Sequence, residues 1–313
     1  MSKKLLAIGI PTYKRPSLAI KAIKNLIDLD VYDQIIVSSN SYEKQLLNFI
    51  NSLKYKKLTF YQQQINVGVA KNYKKIIQLC ECKYLHIVSD EDLINKKKSK
   101  IFYRFLESQI DMDLFIVSIK SYGNNFLYKD STNKKSSNLD NVMGDAGHFG
   151  SSVINVSTWD SSSYALLDKY CERDGSIRVS EASCLISYSK NGTIHYYNDF
   201  IVEMGKVSNT GEIRGYFAYG IENVLDQFTN LLIHVLSLKL KNKVTILFYI
   251  FYYYAHHALH NSSRRFNESP TLKIINYKTL DIKVKIFLYV LLLFYYLYFI
   301  YYKFLGLINK FKK

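Results

Sequence analysis

Three acids stand together at Asp90, Glu91 and Asp92, directly after the apolar stretch 84–88 and just before Leu93 and Ile94. Neighbouring carboxylates repel by about 2–3 kcal/mol at roughly 6 Å and an effective dielectric near 20. An apolar segment that ends in such a cluster holds the charges at a rim, where they cannot scatter. Alternate residues of an extended chain face the same way, so Asp90 and Asp92 are expected on one side and Glu91 on the other. Two converging carboxylates are hard oxygen ligands suited to Mg2+ or Mn2+, ions that take few protein ligands and complete their shell with water and substrate phosphates. A simpler role competes: Ser89 and Asp90 capping the following helix, with the acids near its positive end.

The elements that must position these acids can be read from apolar periodicity. Residues 5–10 form an apolar run that Pro11 is expected to end as a strand. Residues 16–29 carry Leu18, Ala22, Ile23, Leu26 and Ile27 at helical spacing, with Pro16 in the first turn. Further strands are expected over 34–37, 58–61, 84–88 and 114–119, and helices over 42–53, 69–79 and 96–109. This alternation predicts βαβ units and a mostly parallel sheet. In open sheets of that kind ligands bind beyond the carboxyl ends of the strands. Four segments fall there: Pro11-Thr12-Tyr13-Lys14-Arg15, then Ser38-Ser39-Asn40-Ser41, then Asn66-Val67-Gly68 with Lys71 and Asn72 on the next helix, and finally Ser89 to Asp92. One crevice lined by all four is more specific than any of its parts.

Downstream, residues 121–147 read as a polar loop, 149–156 as a strand, and 158–170 and 180–189 as helices. Residues 203–215, with Gly205, Gly211 and Gly215, read as a flexible segment, and from Ile221 the chain looks helical and apolar. The expected organisation is a catalytic domain over 1–215 and a C-terminal helical, aromatic-rich, basic region over 216–313 that associates with a membrane.

The chain has 313 residues, a formal charge of +16 and 28 tyrosines, many of them near the C-terminus. That charge calls for an anionic partner. Its lysines fall in short runs and arginine is scarce, which points away from nucleic acid and towards a membrane surface. Cys80 and Cys82, one residue apart, have neither zinc nor C-x-x-C spacing and read as reduced thiols, as do Cys171 and Cys184. The N-terminus offers too short an apolar run for a signal peptide, so the catalytic part is expected at the cytoplasmic face of the cell membrane. Residues 286–302 would be about 25 Å long as a helix, short of a roughly 30 Å bilayer core. Dense tyrosine with basic flanks suits an element lying in the interface; a span or hairpin and an ordinary buried helix are the alternatives. His256, His257 and His260 have helical spacing but no accompanying acid or cysteine, and read as interfacial rather than metal-binding.

The stretches "IGIPTYKRPSLAIKAIKNL", "VSSNS", "INVGVAKNY" and "YLHIVSDEDLI", in that order, resemble the landmarks of family 2 glycosyltransferases over residues 3–120, and more weakly over 148–200. The resemblance implies a GT-A fold, an inverting mechanism and a D-x-D motif in the acidic trio. It implies that Pro11, Thr12 and Tyr13 line the base and ribose pocket, that Asp90 contacts the ribose and that Asp92 binds the Mn2+ or Mg2+ bridging the donor diphosphate. Arg15, Ser39, Asn40, Asn66, Gly68, Lys71 and Glu91 complete the border of the donor site, Glu91 with neither the ribose nor the metal as its partner. The family usually has a base-reading acid where Ser39 stands, so the resemblance leaves open which base is bound and how tightly.

The general base in this family is a carboxylate from the second half of the domain. Glu181 fits best, with Ser180 expected to cap its helix and aim it at the cleft; Asp174 is the alternative. His148 is a candidate for acceptor or phosphate contact. No Q-x-x-R-W sequence occurs, which favours transfer of a single sugar over processive synthesis. The expected partners are a nucleotide-diphosphate sugar, a saccharide acceptor of the lipid-linked kind used for capsule or O-antigen, and a membrane surface; a homo-oligomer stays open. The rival readings are a nucleotidyltransferase, for which "GIPTYKRP" lacks a Gly-rich phosphate loop, and a non-catalytic nucleotide-sugar- or lipid-binding relative, which Ser39 favours.

Overall fold

A computed structural model of the chain describes residues 4–109, 112–120, 126–127, 134–136, 149–173, 178–205 and 221–240, together with 243, 246, 247 and 250. The first half alternates as the periodicity requires: β1 (Leu6–Thr12), α1 (Pro16–Leu29), β2 (Gln34–Ser39), α2 (Lys44–Ser52), β3 (Leu58–Gln62), α3 (Val69–Leu79) and β4 (Tyr84–Ile87). After the acidic trio come β5 (Leu93–Ile94), α4 (Lys96–Ser108) and β6 (Leu114–Lys120). The segment expected to be a plain loop contributes two short strands, β7 (Phe126–Leu127) and β8 (Lys134–Ser136). The rest is β9 (Ser152–Asn155), α5 (Ser161–Cys171), α6 (Val179–Asn191), β10 (Ile194–Glu203) and α7 (Ile221–Ser237).

The sheet has the order β3-β2-β1-β4-β9-β6-β10-β5, with β7 on β6 and β8 on β10. β3, β2, β1 and β4 are mutually parallel. β9 runs antiparallel between β4 and β6, and β10 is parallel to β6. The carboxyl ends of the four leading strands therefore share one edge, as the alternation demanded.

Side chains alternate between the two faces of the sheet. Leu6, Ile8 and Ile10 of β1 join Ile23, Leu26, Leu46 and Phe102 in one buried cluster. Ala7 joins Ile76, Ile77, Leu185 and Leu231 in the other. The sheet is thus covered on both sides, which is why β1, β2 and β6 read as largely apolar runs. The start of the C-terminal region takes part: Leu231, Leu232 and Val235 of α7, with Ile246, Leu247 and Ile250 beyond it, are buried in the second cluster. No helix among the described residues is long and apolar enough to cross a membrane. Residues 286–302 and His256, His257 and His260 lie outside the described residues.

Two local features set up the functional edge. β1 continues through Pro11 to Thr12, although a proline is expected to stop it. Val88 N–H donates to Gly9 O as the last rung toward β4, while Asn40 N–H donates to Thr12 O on the β2 side. Pro11 therefore faces the side where pairing has already ended, and its missing N–H costs no ladder bond. β1 consequently overhangs β4, and the acidic trio lies beside the overhang.

The second feature is Gly9, whose missing side chain lets α3 pack close. A Cβ there would lie 2.3 Å from Ile76 Cγ2 and 3.2 Å from Ile87 Cγ1. Gly9→Ala should lower the unfolding free energy in urea by about 1–3 kcal/mol, the usual cost of overpacking. Combined with Ile76→Ala, the penalty should be less than additive; full additivity would show that the methyl is accommodated elsewhere.

Candidate functional site

The acidic trio does not continue the strand. β4 ends at Ile87, and Asp92 N–H donates back to Ser89 O at 3.2 Å, closing a turn. The alternation expected of an extended chain therefore does not govern these side chains, and each acid finds its own partner. Asp90 is 2 % exposed. Its Oδ2 accepts from Thr12 Oγ1 at 2.6 Å across the overhang, and Arg15 Nη2 lies 2.6 Å from its Oδ1. Arg15 Nη1 also reaches Glu91 Oε2 at 3.2 Å. Arg15 precedes the first turn of α1, where Pro16 occupies the start of the helix, and its side chain makes no capping bond. Thus one guanidinium neutralises two of the three acids.

Asp92 is buried as well, 4 % exposed. Its Oδ1 accepts from the backbone N–H of Gly205 at 3.2 Å. Its Oδ2 is buried with no hydrogen-bond partner among the described residues. Burial lifts the Asp92 carboxyl to about 7, aided by the charges of Glu91 and Asp90 and opposed by the Gly205 N–H. Burial lifts Asp90 to about 6 against the pull of Arg15 and Thr12. The like-charge cluster is relieved by Arg15 on one side and by the proton affinity of Asp92 on the other. A buried oxygen without a partner is costly unless a proton or a cation serves it. Asp92 therefore fits a divalent cation as one hard oxygen ligand. Among the described residues no set of three His, Cys, Asp or Glu converges as a metal site, so water and phosphate would have to supply most of the shell.

The neighbouring segments fall beside this turn. Ser39 and Asn40 are buried at the end of β2. Asn40 Nδ2 donates to Asn66 Oδ1 at 2.7 Å, and Val67 N–H donates to Asn40 Oδ1 at 2.9 Å, which ties the loop after β3 to the loop after β2. Gly68, the cap of α3, has φ +85°, and a Cβ there would meet nothing within 4 Å, so backbone conformation demands glycine at this point, not crowding. Asn72 and Ser38 exchange hydrogen bonds of 2.7 and 3.0 Å under the same rim. Tyr13 and Lys71 are exposed, and Pro11 and Thr12 are buried. Ser39, where an acid is the family's habit, turns its hydroxyl onto Ser41 O at 2.8 Å. The structure brings together Thr12, Arg15, Asp90 and Glu91 by direct contact, and Asn40, Asn66 and Gly68 by a second network.

Glu181 is placed differently from its expected setting. The residue before α6 is Arg178, which makes no side-chain cap, and Ser180 lies inside the helix. Glu181 is 2 % exposed and accepts from Arg178 Nη1 at 2.6 Å, one turn back. Burial raises its pKa and Arg178 opposes the rise. Its charge is felt by Tyr73 of α3 and Tyr170 of α5. Asp174 and His148 lie outside the described residues. His86, inside β4, is fully buried; burial lowers it to about 4, so it is neutral, and its Nε2 contacts Gly150 O at 2.9 Å. Gly205 joins the site without any expectation from sequence. The signal available was a glycine directly after the aromatic run "IHYYNDFIVEM".

The family model described as "Glycosyl transferase family 2" matches residues 7–158, the span that contains the four segments and the acidic turn. Over this segment, a little under half of its length, the chain is similar to glycosyl transferase family 2. Among curated members, the chain is 30 % identical over 102 residues to WcaA of Escherichia coli strain K12, which carries a provisional assignment as a colanic acid biosynthesis glycosyl transferase. It is 26 % identical over 120 residues to the uncharacterised glycosyltransferase MJ1057 of Methanocaldococcus jannaschii. These alignments cover 31 % and 36 % of this chain and only 36 % and 41 % of those relatives. Among solved structures, S. aureus TarS 1-349 in complex with UDP superposes with a TM-score of 0.63 at 12 % identity, over 86 % of this chain and 78 % of that one. The mannosyltransferase PcManGT of Pyrobaculum calidifontis, in complex with GDP-Man and Mn2+, gives 0.51 at 10 % identity, over 86 % and 77 %. At such identities the likeness is one of fold alone, the GT-A arrangement.

Because the Asp92 carboxyl is raised from 3.8 to about 7 in the fold, its contribution to stability is fully present below pH 3.8 and is lost as pH rises through 7. In EDTA, wild type and Asp92→Asn should be about equally stable near pH 4. By pH 8 the asparagine variant should be the more stable, by up to about 4 kcal/mol at roughly 1.4 kcal/mol per unit. Urea unfolding at a series of pH values measures this; a difference that stays flat with pH would place Asp92 in solvent.

Proposed function

We propose that the chain is a metal-dependent, inverting glycosyltransferase that moves one sugar from a nucleotide-diphosphate sugar onto an acceptor hydroxyl. The observation that carries this reading is the buried Asp92 with one oxygen unpartnered among the described residues, next to an Asp90 already held by Thr12 and Arg15, within the family-matched segment. The two acids then do different work. Asp90, fixed and shielded, presents a rigid wall for the ribose. Asp92 is the one acid left to meet Mn2+ or Mg2+. When bound, such a cation supplies positive charge for the leaving diphosphate.

Support for a nucleotide-sugar donor comes from structural neighbours held with UDP, UDP-GlcNAc or GDP-Man. Asn40, Asn66, Gly68 and Lys71 then border the nucleotide, and Tyr13, exposed at the mouth, offers a ring for the base. Glu181 is assigned the base role, taking the proton of the acceptor hydroxyl as the sugar bond forms. Its raised pKa suits that task, since a base works best with a pKa near the operating pH. Arg178 holds the carboxylate in place until the acceptor arrives.

The acceptor is assigned to the lipid-linked saccharides of surface-polysaccharide assembly, supported by the name of the E. coli relative and by the basic, tyrosine-rich C-terminal sequence. We assign the enzyme to the cytoplasmic face of the membrane, with the C-terminal region in the interface, a reading supported by the basic, tyrosine-rich C-terminal sequence.

Two substitutions test the assignment. Asp92→Asn should abolish Mn2+-dependent release of nucleoside diphosphate from a panel of UDP- and GDP-sugars, a loss of more than about 100-fold. Glu181→Gln should lower turnover by about 100-fold or more, the range of a lost general base, while donor binding by calorimetry stays unchanged. Unaltered turnover in either variant would remove that residue from the chemistry.

A further inference from the structure

Gly205, two residues after the end of β10, lies directly against the acidic turn. Gly205, 113 residues downstream of Asp92, donates its N–H to Asp92 Oδ1. A Cβ on Gly205 would sit 1.8 Å from the carbonyl oxygen of Glu91 and 2.8 Å from its carbon. Its φ lies outside the left-handed region, so crowding and not backbone conformation demands glycine here. The exit of β10 is itself anchored on both sides: Met204 N–H donates to Lys120 O at 2.9 Å, and Asn95 Nδ2 donates to Glu203 Oε1 at 2.8 Å. The crossing is therefore held in place and not a chance approach.

We propose that Gly205 is a positioning residue of the donor site: its N–H fixes one oxygen of Asp92, and its lack of a side chain lets the crossing press on Glu91, so that Asp92 offers its other oxygen alone to a divalent cation. The inference rests on the assignment of Asp92 as the cation ligand. It adds a residue outside the family-matched segment, which ends at 158. Its physical content is twofold. Without the Gly205 N–H, Asp92 would be free to rotate and satisfy both oxygens locally. With any side chain at 205, the carbonyl of Glu91 must retreat, since real Cβ contacts lie beyond 3.0 Å, and the turn carrying Asp92 must follow it. Partners of a metal ligand that act in this way typically change metal affinity by about 10–100-fold.

Mn2+ binding to the full chain, followed by electron paramagnetic resonance of the free ion without any nucleotide, reads this directly. Gly205→Ala should weaken Mn2+ binding by about tenfold or more while a cooperative melt persists. Glu203→Ala, which loosens the crossing without adding bulk, should weaken it by a smaller factor. Gly192→Ala, at a strained helix end with φ +72° and remote in sequence from the turn, should lower the melting temperature and leave Mn2+ affinity unchanged, separating positioning from general destabilisation. Asp92→Asn should remove the site. If Asp92→Asn binds Mn2+ like the wild type, the metal assignment itself falls. If Asp92→Asn loses binding but Gly205→Ala retains wild-type affinity, the role of Gly205 alone is overturned. Should Gly205→Ala not fold, unchanged affinity in Glu203→Ala overturns it equally.

Discussion

The contact on which the site depends is the bond between Thr12 and Asp90, closed by Arg15 from the far side. It joins two loops that are 78 residues apart in sequence, and it does so around a carboxylate almost wholly withdrawn from water. A buried carboxylate with only an ion pair would pay heavily for desolvation. Here a hydroxyl and a guanidinium share that one group, and the guanidinium extends to Glu91. The remaining acid, Asp92, is the one member of the trio that meets no cationic group among the described residues. Everything proposed for the donor site follows from that asymmetry among three adjacent carboxyls.

The asymmetry depends in turn on strand lengths. β1 runs to Thr12, while β4 stops pairing three residues earlier, at Gly9 and Ile87. Had the two strands ended level, the acidic residues would have continued the ladder and alternated. Because they end unevenly, the chain after β4 is free to turn, and the overhanging end of β1 provides the hydroxyl that meets it. Pro11 is compatible with the overhang only because its absent N–H faces the side already vacated. Arg15 reaches the turn because Pro16 starts α1 immediately after it.

Much of the first half was legible in the sequence because each strand there is an apolar run of ordinary length, and each helix carries an apolar stripe at a period near 3.6. α1 and α3 could be bounded to the residue. β10 was not legible: "IHYYNDFIVE" mixes aromatic, amide and acidic residues, and its pairing with β6 slips at Tyr197/Phe200 and again at Phe200/Val202, which breaks the period-two pattern. The four segments of the donor edge were legible as a set, since a parallel sheet aligns its carboxyl ends. The directions of the acids were not, because direction depends on where β4 stops. The start of α6 departs from expectation for a related reason: Ser180 has the chemistry of a cap, but Arg178 occupies the cap position and Ser180 is drawn into a fully buried first turn. Gly205 was invisible because its demand for glycine comes from a carbonyl brought beside it only by the fold.

One consequence of the sheet order concerns how such a protein can change over generations. β9 is antiparallel between β4 and β6, so the chain leaves β6 at the donor edge and re-enters β9 at that same edge. A connection that departs and returns on one side can change length around β7 and β8, which pair with β6 and β10, without re-threading β6 or β9. The half of the sheet that carries Thr12, Arg15 and the acidic turn is sealed by short βα links and has little such freedom. The sheet order thus separates a half whose short links leave little room for change in length from a connection, begun and ended at the same edge, that tolerates it.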